Sequence, residues 1–263
     1  MNAISKAALF LAAAVLAGIA AVGPPLDRLA DTSFAWHMVQ HLALFYVVTL
    51  LLLLARPFDV LARIAGKRST AAFVRITRPL GVLALPPAAL VIFVTTLWAT
   101  HFSPLYELAL EHPWAHIAEH ALYVAAGVAF WLPVVAPPPL RPLGYPARLL
   151  YLVVALPQGA LLAMVIASAR EPLYSHYAAA AGSRAAALAD QGNAAAAMWI
   201  LGGLVVLGAL LITTAAWARR EAEQTPAQAQ SRRTPVRPDR SRSLLRVFAR
   251  PSSRARSIHR SSS

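Results

Sequence analysis

The chain contains no cysteine. Disulfides, thiolate metal sites and cysteine nucleophiles are therefore excluded. Charge is scarce as well: 13% of the 263 residues are charged, and only 11 are Asp or Glu. No stretch alternates apolar and polar residues over the length that a membrane β-strand needs, which argues against a barrel. The phosphate-binding loop, the G-x-S-x-G elbow, the H-E-x-x-H helix and the dinucleotide fingerprint are all missing. No catalytic residue is assigned, and the expectation is a protein that is not an enzyme.

Apolar residues, in contrast, make up 58% of the chain, and the mean hydropathy is +0.56. That balance reads as a polytopic membrane protein. Six apolar runs are expected to be helical spans: 5–22, 35–55, 81–99, 115–135, 147–168 and 194–217. Each is close to the roughly 20 residues that a bilayer helix needs. Lys6 before the first run resembles the start of a signal peptide, but A-V-G-P-P-L-D is a poor cleavage context, so a retained helix is expected. The expected fold class is all-α, a transmembrane bundle over residues 1–218.

The net charge of +13 belongs mostly to the end of the chain. From Arg219 onward twelve Arg face only Glu221, Glu223 and Asp239, a net +9. Residues 219–263 are Arg-, Ser- and Pro-rich and are expected to form a disordered tail that brushes anionic lipid. L-L-R-V-F (244–248) is a candidate short amphipathic anchor. Nucleic-acid binding is not expected, because no aromatic interleaving accompanies the arginines. The 56–80 loop (Arg56, Arg63, Lys67, Arg68, Arg75, Arg78), Arg141 and Arg148 are also basic. The positive-inside rule then places both termini in the cytoplasm.

On that topology seven of the eight histidines fall on the outer side: His37, His41, His101, His112, His116, His120 and His176. Trp36-His-Met-Val-Gln-His41 sets two imidazoles at i and i+4, on one helix face. His112-Pro-Trp-Ala-His-Ile-Ala-Glu-His120 sets three at i, i+4 and i+8, and Pro113 suits the first position of a helix. Such pairs can grip one metal ion from two helices. His37, His41, His116, His120, His101 and His112 are candidate ligands. Met38, inside the first motif, is a candidate soft ligand that points off the His37/His41 face; thioether with imidazole suits copper, above all Cu(I). Glu119 and Asp27 are candidate supporting carboxylates around the ligands. At each histidine the competing reading is an interfacial side chain bonded to a carbonyl or to water.

Several ordered motifs resemble the CtaG-type cytochrome c oxidase assembly family associated with caa-type oxidases. They are G-P-P-L-D (23–27), H-M-V-Q-H (37–41), L-W-A-T-H-F-S-P-L-Y-E (97–107), H-P-W-A-H-I-A-E-H (112–120), F-W-L-P (130–133), Y-P-A-R-L-L-Y-L (145–152), R-E-P-L-Y-S-H-Y (170–177) and D-Q-G-N-A-A-A-A-M-W-I-L-G-G (190–203). The resemblance covers about residues 20–220. Ala99 and Thr100 split the family's Trp–His pair, and no proline pair follows His41, so His101 carries over least directly.

The resemblance implies an assembly factor of the bacterial plasma membrane; with the histidine geometry it implies copper as the ion. Expected partners are oxidase subunits, membrane lipid and a periplasmic copper donor, with self-association left open. Two other readings stand beside it. One is a haem-binding or quinone-reactive redox protein with histidines of spans two and four as axial ligands. The other is a metal-free structural partner of the oxidase.

Overall fold

The computed structural model describes residues 3–57, 85–137 and 140–233, with isolated positions between 59 and 75. Every element among the described residues is helical. Helix α1 (Ala3–Val22) leads through a turn into α2 (Leu26–Thr32). Helix α3 (Phe34–Leu42) passes through a π-helical segment, Ala43–Val48, into α4 (Thr49–Leu54). Then follow α5 (Pro86–His101), α6 (Leu105–Glu111), α7 (Pro113–Val135), α8 (Tyr145–Ser168), α9 (Ser175–Ala180) and α10 (Arg184–Ala197). A second π segment, Met198–Gly202, joins α10 to α11 (Gly203–Arg233).

Among the described residues, five helical stretches are long and apolar enough to cross a membrane: Ser5–Thr32, Phe34–Leu54, Pro113–Val135, Tyr145–Ser168 and Arg184–Gln224. The third expected run differs. Helix α5 has 16 residues, about 24 Å at a rise of 1.5 Å per residue. It reaches spanning length only together with α6, which is bent from it by 62°. The bend falls at Phe102-Ser103-Pro104, where proline has no amide hydrogen to continue the α5 ladder.

The bundle is apolar outside and holds a few polar side chains in an otherwise apolar interior. Leu16, Ile19, Ile117, Leu150, Trp199, Leu204 and Ile212 are exposed, as lipid-facing residues should be. The buried set includes His37, Gln40, His41, Thr49, Thr100, His101 and Glu119. The core end packs Phe45, Tyr46, Phe93, Phe130, Trp131 and Tyr151. Helix α7 lies close against the first π segment because residue 127 is glycine. A Cβ there would run into the Phe45 carbonyl oxygen and stand 2.9 Å from the Thr49 side chain.

In lipid every backbone carbonyl needs a protein partner. Side chains add bonds to two carbonyls of the first π segment, and the Tyr46 carbonyl also accepts the Thr49 backbone amide. The Thr49 hydroxyl donates to the Phe45 carbonyl, and Trp131 Nε1–H donates to the Tyr46 carbonyl at 3.1 Å.

The chain divides into two units, Met1–Trp217 and Ala218–Ser263. Helix α11 runs to Arg233. The 244–248 segment lies outside the described residues, as do Arg63, Lys67 and Arg78 of the basic loop.

Candidate metal centre

Helix α3 starts on a strong cap. Ser33 Oγ accepts from Trp36 N and donates to Asp190 Oδ1 at 2.7 Å. Asp190, on α10, also accepts the amides of Phe34 at 2.6 Å and Ala35 at 3.4 Å. A carboxylate at a helix N-terminus meets unpaired amides and the positive end of the dipole. One turn later α3 delivers His37 and His41. Helix α7 starts at Pro113 with His112 as its N-cap residue, and delivers His116 and His120.

These four imidazoles meet. One ring nitrogen from each lies within 4.8 Å of all the others. His37 and His41 are 1% and 3% exposed; His116 and His120 are partly exposed. The site is therefore closed on the α3 side and more open on the α7 side.

Hydrogen bonding leaves it short of protons. Tyr177 Oη donates to the Ala30 carbonyl at 3.1 Å. Its contact with His37 Nδ1, 2.5 Å, then has the imidazole as donor, and His37 Nε2 carries a lone pair. That lone pair faces His41 Nε2 at 2.9 Å. If His41 Nε2 bears the proton, His41 Nδ1 is the nitrogen left bare, and Nδ1 has no partner. His116 Nε2, His120 Nε2 and both oxygens of Glu119 also lack hydrogen-bond partners. Buried polar atoms without partners are costly. A cation among them removes that cost, so the donor set fits a borderline or soft metal ion.

Aromatic residues hold the rings. Tyr123 stacks on His41 with centroids 4.2 Å apart, and the Tyr106 ring lies 5.4 Å from that of His37. Tyr177 belongs to α9, beside the bundle. Burial pushes its phenol above the ordinary range, so it remains a neutral donor.

The surrounding connections are tied together. His176 Nε2 donates to the Asp31 carbonyl at 2.7 Å. Glu107 accepts from the Ser175 amide at 2.7 Å and its hydroxyl at 3.1 Å. Gln191 accepts from the Leu173 amide at 2.8 Å. Arg184 pairs with Glu171 at 2.7 Å, and that hydrogen bond holds the Glu171 carboxyl below its ordinary value.

The other sequence candidates lie nearby or apart. Glu119 Oε2 is 3.8 Å from His41 Nε2, across the helix interface. Asp27 accepts from Gln40 Nε2 at 3.3 Å, and Gln40 Nε2 also donates to the Ala21 carbonyl at 2.9 Å. His101 and Met38 contact each other at 3.2 Å and are not in the four-histidine group. His112 is exposed and faces Trp114, its centroid 6.3 Å away. Residue types alone did not single out Tyr177, Tyr123 and Asp190; the Y-S-H-Y and D-Q-G-N segments that carry two of them were the available signal.

A family model described as cytochrome c oxidase caa3 assembly factor matches residues 2–220. An uncharacterized protein of Mycobacterium bovis and one of Mycobacterium tuberculosis are each 25% identical to the chain over 201 residues. The alignment covers 72% of this chain and 30% of each relative. The chain thus spans less than a third of the length of these curated relatives. No solved structure matches it.

Proposed function

Because the chain belongs to the cytochrome c oxidase caa3 assembly factor family, we propose that it carries copper on His37, His41, His116 and His120 for delivery during oxidase assembly. The observation behind this reading is the convergence of four imidazoles within 4.8 Å, inside a membrane bundle with no thiolate. Copper is the cargo, not a resident cofactor.

Each residue has a task in that reading. The imidazoles bind the ion as neutral ligands. Tyr177 fixes the tautomer and rotation of His37, as outer partners of ligating histidines do. Glu119 supplies negative charge beside a cation held in a low-dielectric bundle, where an unpaired charge is expensive. The partly exposed His116 and His120 form the side through which the ion enters and leaves.

The site faces the outer compartment in this proposal, because Arg56 and Arg148 sit at the helix ends remote from it. An oxidase subunit receives the ion, and a periplasmic donor supplies it. The haem alternative is disfavoured by spacing. His37 and His116 have centroids 5.2 Å apart, and His41 and His120 5.4 Å, which leaves no slot for a macrocycle.

The test is metal analysis of the purified intact protein in detergent, with oxidase activity in cells. Wild type should retain about one copper per four-histidine cluster. His41→Ala with His116→Ala should bind one copper fewer than wild type, and the cells should lose oxidase activity. Wild-type protein that retains no copper at micromolar metal overturns the reading.

A further inference from the structure

We propose that His101 Nε2 and Met38 Sδ form a second binding site, selective for Cu(I), beside the four-histidine centre. The surroundings of His101 fix its tautomer. His101 Nδ1 lies 2.7 Å from the Leu97 carbonyl oxygen. A carbonyl only accepts, so Nδ1 carries the proton and Nε2 carries the lone pair. That lone pair is directed at Met38 Sδ, 3.2 Å away. A thioether has no proton to offer. Two lone-pair donors therefore face each other with no hydrogen between them.

The neighbours do not supply the missing proton. Thr100 Oγ1 donates to the Thr96 carbonyl at 2.7 Å and meets Tyr123 Oη at 2.7 Å. Its contact with the imidazole, at 3.2 Å, is on the Nδ1 side. Tyr174 Oη donates at 3.0 Å to the backbone carbonyl of His101, not to the ring. Both donors are buried: His101 is 4% exposed and Met38 1%. Water has little access to a polar nitrogen that lacks a partner.

The chemistry of the pair selects its ion. Thioether sulfur is a soft ligand that favours Cu(I) and binds zinc and hard cations poorly. With bonds of about 2.1 Å to nitrogen and 2.3 Å to sulfur, donors on one ion stand about 3.1 Å apart at a right angle and about 4.4 Å apart when linear. The observed 3.2 Å is the right-angle end of that range; an ion on the axis of the His101 lone pair requires the flexible Met38 side chain to withdraw by about 1 Å.

The pair adjoins the proposed cargo site. Met38 follows His37 directly in α3, and the buried Tyr106 ring lies 5.6 Å from His101 and 5.4 Å from His37. The inference rests on the copper reading only for the identity of the cargo. No change of oxidation state is invoked; the second site holds Cu(I) supplied as Cu(I).

The test uses the full chain, labelled with selenomethionine and loaded with Cu(I) under ascorbate. Copper-edge X-ray absorption should detect a selenium neighbour. Met38→Leu, which conserves volume, should remove the selenium signal while leaving Met1, Met164 and Met198 labelled. It should also bind Cu(I) at least about tenfold more weakly against a chelator, with zinc binding by the four histidines unchanged. His41→Ala with His116→Ala should keep the selenium neighbour. Copper bound with no selenium neighbour, or a selenium signal that survives Met38→Leu, overturns the second site alone. Selenium-bound copper with no metal on the four histidines overturns the cargo site alone. No bound metal of any kind overturns both.

Discussion

Asp190 and Ser33 are 157 residues apart in sequence and 2.7 Å apart in the fold. The carboxylate of one accepts the hydroxyl of the other and the first free amides of the helix that carries His37 and His41. The angle at which that helix enters the bundle is thus set by a residue on α10. Removing the carboxylate leaves amides and a hydroxyl unpaired at a partly buried site. Asp190→Ala should cost about 1–2 kcal/mol, the range of a lost cap. It should lower copper retention as well, and Asp190→Asn should recover part of both. Thermal unfolding and metal analysis on the same preparations check this; full retention by Asp190→Ala would show that the cap does not position the ligands.

The histidines should separate into two groups. His112→Ala should leave copper retention at the wild-type level, since that ring is exposed and faces Trp114. His120→Ala should lower it, since that ring belongs to the converging set. Equal effects in a metal titration would contradict the geometry.

Tyr177→Phe removes one oxygen and almost no volume. His37 Nδ1 then loses its partner, and the ring is free to turn. Metal affinity should fall by about 10–100-fold, the usual cost of losing an outer partner of a ligating histidine. The helical content should be unchanged. A titration that matches wild type would remove Tyr177 from the ligand-positioning role.

Gly127→Val tests the scaffold without touching a ligand. The added side chain would meet the backbone of Phe45, which cannot rotate away. Overpacking of this kind costs about 1–3 kcal/mol. The loss should be visible in thermal unfolding, and Gly159→Ala, where a Cβ meets nothing within 4 Å, serves as the control.

The Arg184–Glu171 pair gives a pH prediction. The folded Glu171 carboxyl is held below its ordinary value of 4.5 by the Arg184 hydrogen bond. Its contribution is present above that value and is lost as pH falls through the lower folded one. Both groups are exposed, so the effect is small and screened by salt. Stability curves of wild type and Glu171→Gln should therefore converge on the acid side and differ slightly near neutrality.

The helical class and the apolar runs were legible because lipid imposes a length and an apolar surface on each span. The His37/His41 and His116/His120 pairs were legible because i and i+4 share a helix face. Their meeting was not, since it depends on how α3 and α7 face each other. Met38 shows the same divide. Its spacing takes it off the His37/His41 face, and only the fold brings α5 to the opposite side with His101. The start of α5 at Pro86 was hidden for another reason: hydropathy alone does not locate a helix start.

The π segment at Ala43–Val48 has a consequence for how this chain can vary. It offsets the rotational phase of everything after it from the two histidines before it. The metal-facing third of the span and its core-facing remainder are consequently indexed separately. One extra or missing residue within 43–48 would turn α4 by about 100° relative to the two histidines and pull the buried Phe45, Tyr46 and Thr49 away from α7. Length variants should therefore be damaging both there and between His37 and His41, where a single insertion would turn one imidazole out of the site.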